Sequence, residues 1–380
     1  MNRINNFCFL ILITLVGFVF ISIQGCNKDD NNTTQRIITV RKNVKDLTPQ
    51  EKLDFVNAVK LLKATPSPYD TNLNYYDQFV YWHYRAFYCH GGGMMEGMYP
   101  AHQNPAFLPW HRSYLSLFEN ALREVSGKPI SIPYWDWTDS ASTAALFSDD
   151  MLGGNGDPSN GHIVMTGPFR QGEWTIRISE DINIDSLVNY GFIGNNPYPD
   201  LTRAFTIFKT ETVQLPTTSE VEFCLGVNKY DSYPWDVTVD TNLSFRNTIE
   251  GWRGCAGNDC INSQMDVIAI PGLRRSTMHN VVHIWVGGIF PDGASFREGS
   301  MTQNTSPNDP TFWIHHANID RLWSGWMARH GRTYLPVAGG PMGSNLYDTM
   351  EPFSFRADGF FTPYSVLSEI KMGYRYDRLP

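Results

Sequence analysis

The stretch SPNDPTFWIHHANIDRLW, Ser306–Trp323, decides how this chain folds. Asp309 is a capping residue, Pro310 suits a first helical position, and Gly331 follows the basic Arg329 and His330. The pattern therefore predicts a helix from about Pro310 to His330. Two adjacent histidines, His315 and His316, sit among its aromatic residues. A lone histidine beside aromatics is usually an ordinary core group that has found its hydrogen bonds, so the weight rests on the rest of the chain.

Five further histidines stand in matching surroundings. In MHNVVHIWVGG, starting at Met278, His279 and His283 are four apart, so on a helix both imidazoles leave one face about one turn from each other. YDQFVYWH ends at His83, late in a helical run through Tyr75, Phe79, Tyr84 and Phe87. AHQNPAFLPWHR supplies His102, which lies between Pro100 and Pro105 and so belongs to a loop. It also supplies His111, opening a helical stretch with an apolar face of Tyr114, Leu115, Phe118, Leu122 and Val125 that ends at Gly127. Two triplets result: His83, His102 and His111, then His279, His283 and His316. Helices with inward histidines make a bundle with a metal in its core. The expected fold is mainly α, with a four-helix-bundle core housing a dinuclear metal centre, long loops and a few short strands.

An all-imidazole donor set without thiolate or carboxylate leans toward copper, which tops the affinity order for nitrogen ligands, with zinc the alternative. Two copper ions facing each other can give dioxygen one electron apiece, a step that a single metal performs less simply. His315 is expected to be rotated away from the metal, His330 to sit at a helix C-terminus where a cation is favoured, and His162 to lie in a Gly-rich loop. His90 stays open as a functional candidate.

At these residues the chain resembles the type 3 copper family of tyrosinases, catechol oxidases and hemocyanins, most closely the bacterial and animal tyrosinases. The resemblance runs roughly from Thr48 to Asp377 with one variable middle. It implies that His83, His102 and His111 bind copper A and that His279, His283 and His316 bind copper B, the ligand being the second of the adjacent pair. In FRNTIEGWRG, Glu250 is similar to the glutamate that in tyrosinases holds a water over the site, and Asn280 to its asparagine partner. Such a water would take the proton of a bound phenol, whose pKa near 10 must be overcome before it coordinates well. Together they imply monophenol hydroxylation. The competing reading of Glu250 is a solvated charge on a loop, and Cys255 to Leu273 look inserted relative to bacterial members.

Of six cysteines, Cys8 and Cys26 belong to the N-terminus. Cys255 and Cys260 flank a short polar loop that would close as a disulfide in an oxidising compartment. YCHGG, Tyr88–Gly92, resembles the plant-type YCNGG, which implies a thioether between Cys89 and His102; a free thiol or a bond to Cys224 are the alternatives.

The N-terminus carries an apolar run from Phe7 to Ile23 and then Gly25-Cys26. A transmembrane anchor is one reading, but the run is short for a span and sits where a signal peptide belongs. It resembles a bacterial lipoprotein signal: residues 1–25 as signal peptide, acylated Cys26, a flexible tether over 26–46 that opens with NKDDNNTT, and a copper domain over 47–380. Lys-Asp-Asp after the lipidated cysteine resembles an export signal of surface lipoproteins, which implies a lipid anchor in the outer membrane, facing outward; the inner leaflet of that membrane is the alternative.

A net charge of -8 and no basic run argue against nucleic-acid binding. Thr48 and Glu51 form a capping box for a first helix through Leu62. IPYWDW, Ile132–Trp137, is an aromatic scaffold turn. Asp139 to Phe245 is expected as long loops with a few short strands. The last fifty or so residues close with PYSVLSEIKMGYRYD, and no lid domain of the kind that covers some family members is expected. Three functions follow: a tyrosinase taking small phenols to o-diphenols and o-quinones with O2; a catechol oxidase alone, its access narrowed by the loop Gly299–Thr305; or a non-catalytic dioxygen-binding or zinc-loaded relative. No residue identifies a copper-delivery protein.

Overall fold

The structure, a computed structural model, describes residues 38–87, 101–180, 182, 184, 196–252, 268–270, 273–274 and 277–380. The expectations for the signal stretch, Cys26, Cys89, His90, Cys255 and Cys260 lie outside the described residues.

Helix α1, Pro49–Ala64, begins at the expected capping box: the Thr48 hydroxyl accepts from the Glu51 N–H and the Glu51 carboxylate accepts from the Thr48 N–H. It buries Phe55, Val56, Val59 and Leu62. Helix α2 is Tyr75–Phe87 and α3 is Phe107–Ser126. Helix α3 starts a turn earlier than its histidine, so His111 lies inside it and not at its opening. Gly127 ends it with φ +65°, the left-handed turn that glycine adopts without steric cost. Among the described residues, the middle of the chain includes short helices where only loops and strands were expected, α4 (Ser140–Leu146) and α5 (Thr218–Gly226). Asp139 caps one and a Thr217–Glu220 capping box starts the other, local signals that an apolar period cannot reveal in so few residues.

Helices α6 (Phe245–Glu250), α7 (Met278–Gly287) and α8 (Thr311–His330) follow. Pro310 occupies the cap of α8 and not its first turn. Asp309 still accepts the Thr311 N–H while its two oxygens take the buried Arg203 guanidinium at 2.7 and 2.8 Å. Helices α2, α3 and α8 meet through aromatic rings. Phe118 and Trp313 stack at 3.5 Å with an interplanar angle of 1°, and Phe79 stands edge-on to both at 5.2 and 5.6 Å. Helix α7 adds its histidine face, His279 lying 4.9 Å from His316. These four helices are the bundle.

The strands are short. They are β1 (Thr39–Arg41), β2 (Gly156–Asp157), β3 (Ile163–Val164), β4 (Ile207–Phe208), β5 (Glu211–Thr212), β6 (Ile268–Ile270), β7 (Leu273–Arg274), β8 (Ile289–Asp292), β9 (Ser295–Glu298) and β10 (Tyr374–Tyr376). Their largest sheet has the order β5-β4-β8-β9, and β1 pairs in parallel with β10. Residues 38–46, placed with the tether by composition, therefore belong to the folded body as a strand and a 3-10 turn.

A buried charge cluster ties the metal-side helices together. Asp320 on α8 accepts from Arg112 on α3, from Arg41 on β1 and from the hydroxyls of Tyr374 and Tyr376 on β10. Burial would raise this carboxyl, but Arg112 and Arg41 outweigh it and hold it below the ordinary aspartate range. A buried ion pair returns little net stability for its desolvation, so the gain here is geometric. Arg112 follows His111, and Asp320 lies one turn beyond His316 on the same helix face.

Candidate metal centre

The structure gathers the histidines into two groups, His83, His102 and His111, and His279, His283, His315 and His316, all buried but the half-buried His283; within each group the ligand atoms lie within 4.8 Å of one another. Helix α2 supplies His83, the turn before α3 supplies His102, and α3 supplies His111. Helix α7 supplies His279 and His283 from one face, and α8 the last pair.

Backbone acceptors set the tautomers. His83 Nδ1–H donates to the Asn304 carbonyl at 2.8 Å, His111 Nδ1–H to Phe107 at 2.8 Å and His283 Nδ1–H to Met301 at 2.7 Å. His279 Nδ1–H lies between the Glu250 carbonyl at 3.2 Å and Asn280 Oδ1 at 2.9 Å. In all four the opposite nitrogen, Nε2, is buried and has no hydrogen-bond partner. A bare imidazole lone pair costs about 1–3 kcal/mol to bury, and two such nitrogens in each group fit metal ions that accept them, with outer oxygen acceptors orienting each ring. Burial keeps all seven rings neutral, the form that binds metal. It pushes His83 down to about 3 and His283 to about 4, and holds the other five well below the ordinary histidine value.

His315 departs from expectation. Its ring is not rotated away: it stacks on His279 at 5.3 Å, and neither of its nitrogens has a partner. His316 is equally untied and lies flat against His111 at 4.2 Å, facing the other triplet. The adjacent His-His pair was the signal for this crowding, but helical spacing alone sends two consecutive residues about 100° apart. His102, on its loop, is held by the ring of Phe87 stacked at 3.9 Å.

Glu250 is not a solvated loop charge. It is buried at the end of α6, accepting from the Gln103 N–H and from Arg246 at 3.1 Å. Burial pushes its carboxyl above the ordinary range, against the opposing pull of Arg246 and the Gln103 N–H. Arg246, which sequence reading passed over, is shared with Asp231 at 2.8 Å. Asn280 presents a buried amide nitrogen without a partner. Both residues line a cavity of about 330 Å³ whose wall includes His83, His102, His279 and His283. Cys224 is buried with its thiol unbonded.

Residues 73–329 match the common central domain of tyrosinase. A tyrosinase of Streptomyces glaucescens is 38% identical over 321 residues, 83% of this chain and 93% of that protein. The chain belongs to the tyrosinase family. A second member of the tyrosinase family, from Gallus gallus, is 32% identical over 379 residues, 92% of this chain and 65% of its own. Among solved structures, a polyphenol oxidase from Thermothelomyces thermophila has a TM-score of 0.58 at 23% identity, covering 90% of this chain and 91% of its own. A functional unit of octopus hemocyanin has 0.51 at 21%, covering 90% and 68%. The fold is thus that of type 3 copper proteins, and the all-histidine donor set fits the dinuclear copper of the tyrosinase family.

Proposed function

We propose that this protein is a phenol oxidase of the tyrosinase kind, taking monophenols to o-diphenols and o-diphenols to o-quinones with dioxygen. The observation that carries the reading is the set of bare Nε2 atoms converging under a cavity that also exposes Glu250 and Asn280. His83, His102 and His111 would hold one copper and His279, His283 and His316 the other; the pair of ions supplies the electrons that dioxygen takes up.

The remaining work falls to the chain. The Asn280 carbonyl oxygen is held by His279, so its amide N–H groups are left to hold a water, and Glu250 is fixed beside it by Arg246 and Gln103. A water between them accepts the phenol proton as the substrate oxygen descends toward the histidines. Phe87, Trp252 and Ile284 supply the apolar part of the cavity wall against which a phenol ring would pack. Diphenol oxidation alone is the second reading, favoured by the fact that both Glu250 oxygens already accept protein hydrogen bonds. Oxygen uptake by the copper-loaded domain decides: uptake with a monophenol given a trace of diphenol establishes the first reading, and uptake with diphenol alone establishes the second. No uptake while dioxygen binds reversibly, or zinc in the isolated protein, would sink both.

The apolar run and Cys26 support a lipid-anchored protein on the outer face of a bacterial outer membrane, with a tether over 26–37. Radiolabelled fatty acid incorporated into wild type but not Cys26→Ala tests the anchor, and protease accessibility in whole cells tests the surface.

A further inference from the structure

Two of the oriented rings, one in each histidine group, lean on the same short piece of chain. His83 donates to the Asn304 carbonyl at 2.8 Å and His283 to the Met301 carbonyl at 2.7 Å. The rings of His111 and His279 find acceptors on or beside their own helices, at Phe107 and at Glu250 and Asn280. The strap from Gly299 to Asn304, which leaves the end of β9, therefore touches both groups at once.

What holds the strap lies outside the bundle. Ser300 and Thr202 are both buried and answer each other: the Ser300 N–H donates to the Thr202 carbonyl at 3.0 Å, and the Thr202 N–H donates to Ser300 Oγ at 3.0 Å. Their hydroxyls lie 3.3 Å apart. A second tie runs to the end of α7, where the Gly288 carbonyl accepts from Thr302 Oγ1 and from the Gly299 N–H, each at 3.1 Å. Here Gly299 and Gly287 meet so closely that a side chain on Gly299 would run into the Gly287 carbonyl, and one on Gly287 into Thr302. The bed beneath the strap is the row Thr202-Arg203-Ala204. Thr202 takes the strap, Arg203 grips Asp309 ahead of α8, and the Ala204 N–H donates to the Gly287 carbonyl at 3.0 Å. Three consecutive residues of the variable middle thus reach the strap and both helices of the second group.

We propose that Thr202 and Ser300 are positioning residues for the whole dinuclear centre, fixing through one strap a ring in each histidine group and with it the register between the two coppers. A displaced ligand helix disturbs its own coordination set. A displaced strap turns His83 and His283 together, so the error enters both sets and the separation between them. The proposal rests on the two-copper assignment and not on which phenol is oxidised.

The test loads wild type, Ser300→Ala, Thr302→Val and Ser142→Ala with copper and follows release of copper to a chelator beside the electron paramagnetic resonance spectrum of the oxidised protein. Two copper(II) ions held in register pair their spins and give no signal; ions out of register each give one. Ser300→Ala should still take up two coppers at saturation, lose both about tenfold faster than wild type, and show the signal of unpaired copper(II). Thr302→Val removes the second tie and keeps the shape of the side chain; it should act in the same direction by about threefold. Ser142→Ala removes a buried serine hydroxyl that bonds Asn43 and the Asp136 N–H, and it should match wild type in both readouts even where its melting temperature falls. Faster release of one copper alone, or a silent Ser300→Ala with wild-type retention, overturns the proposal, and so does the same response in Ser142→Ala. Wild type that holds two coppers but oxidises no phenol overturns the phenol-oxidase reading and leaves the role of the strap standing.

Discussion

The floor and the mouth of the site are built by different means. The floor consists of imidazoles on long buried helices, and α3 and α8 are locked against each other by Asp320, Arg112 and the stacked Phe118 and Trp313. The mouth consists of loop and strand-end residues: Glu180, Glu298, and Thr302 to Asn304. The two regions are nevertheless joined by hydrogen bonds, because the loop carbonyls of Met301 and Asn304 orient His283 in one group and His83 in the other. A helix can hold a donor atom in place for a metal, whereas a loop can change its side chains without moving its backbone. That division lets metal binding stay fixed while substrate choice varies.

The comparison breaks most sharply at the floor. His316→Ala should halve the copper content and abolish phenol oxidation, a loss of at least a thousandfold; His315→Ala should retain two coppers. Metal analysis beside oxygen uptake checks both, and the reverse pattern would move the ligand assignment to the first histidine of the pair. Asp320→Asn should cost about 3–5 kcal/mol of stability near neutral pH, because two buried guanidinium groups lose their shared partner. The aspartate carboxyl is held below its ordinary value, so its contribution is fully present above about pH 4 and is lost as pH falls through the folded value. Denaturant titrations should therefore show wild type and variant converging in acid; a constant gap down to pH 2 would remove Asp320 from the account.

Between floor and mouth, Glu250→Gln should lower monophenol turnover about a hundredfold or more, the usual scale of a lost general base, and diphenol turnover far less. Equal losses would make Glu250 a structural partner of Arg246. The smallest effect belongs to the mouth: Gln303→Ala should shift the monophenol to diphenol ratio a few fold with copper content intact, since it leaves both orienting carbonyls in place. Copper loss in this variant would mean that loop side chains and ligand geometry cannot be separated.

Much of the floor was legible in the sequence. Four-residue spacing, capping signals and the glycine after α3 are local rules, and they located His83, His111, His279, His283 and His316 on helices. The adjacent His315 was misplaced because its position depends on the rings of His279 and Trp137 packed around it, not on its own helix. For Glu250 the competing reading of a solvated loop charge stayed open in sequence, because nothing there says that the Gln103 N–H, 147 residues away, closes over it beside Arg246 on its own helix. Of the mouth, the loop Gly299–Thr305 was legible, but not the carboxylates: Glu180 and Glu298 are separated by more than a hundred residues, and only the folded loops bring them to one opening.

The pairing of β1 with β10 sets a clock on biosynthesis. Arg41 leaves the ribosome among the first residues of the folded body, yet the Tyr376 hydroxyl that it donates to lies 335 residues later. Until that final strand arrives, Asp320 lacks both tyrosine donors, and the long helix bearing His316 has no finished clamp. Copper that reached a nascent chain would meet histidines without their final spacing, so metallation belongs to the last moments of maturation, after β10 has paired with β1.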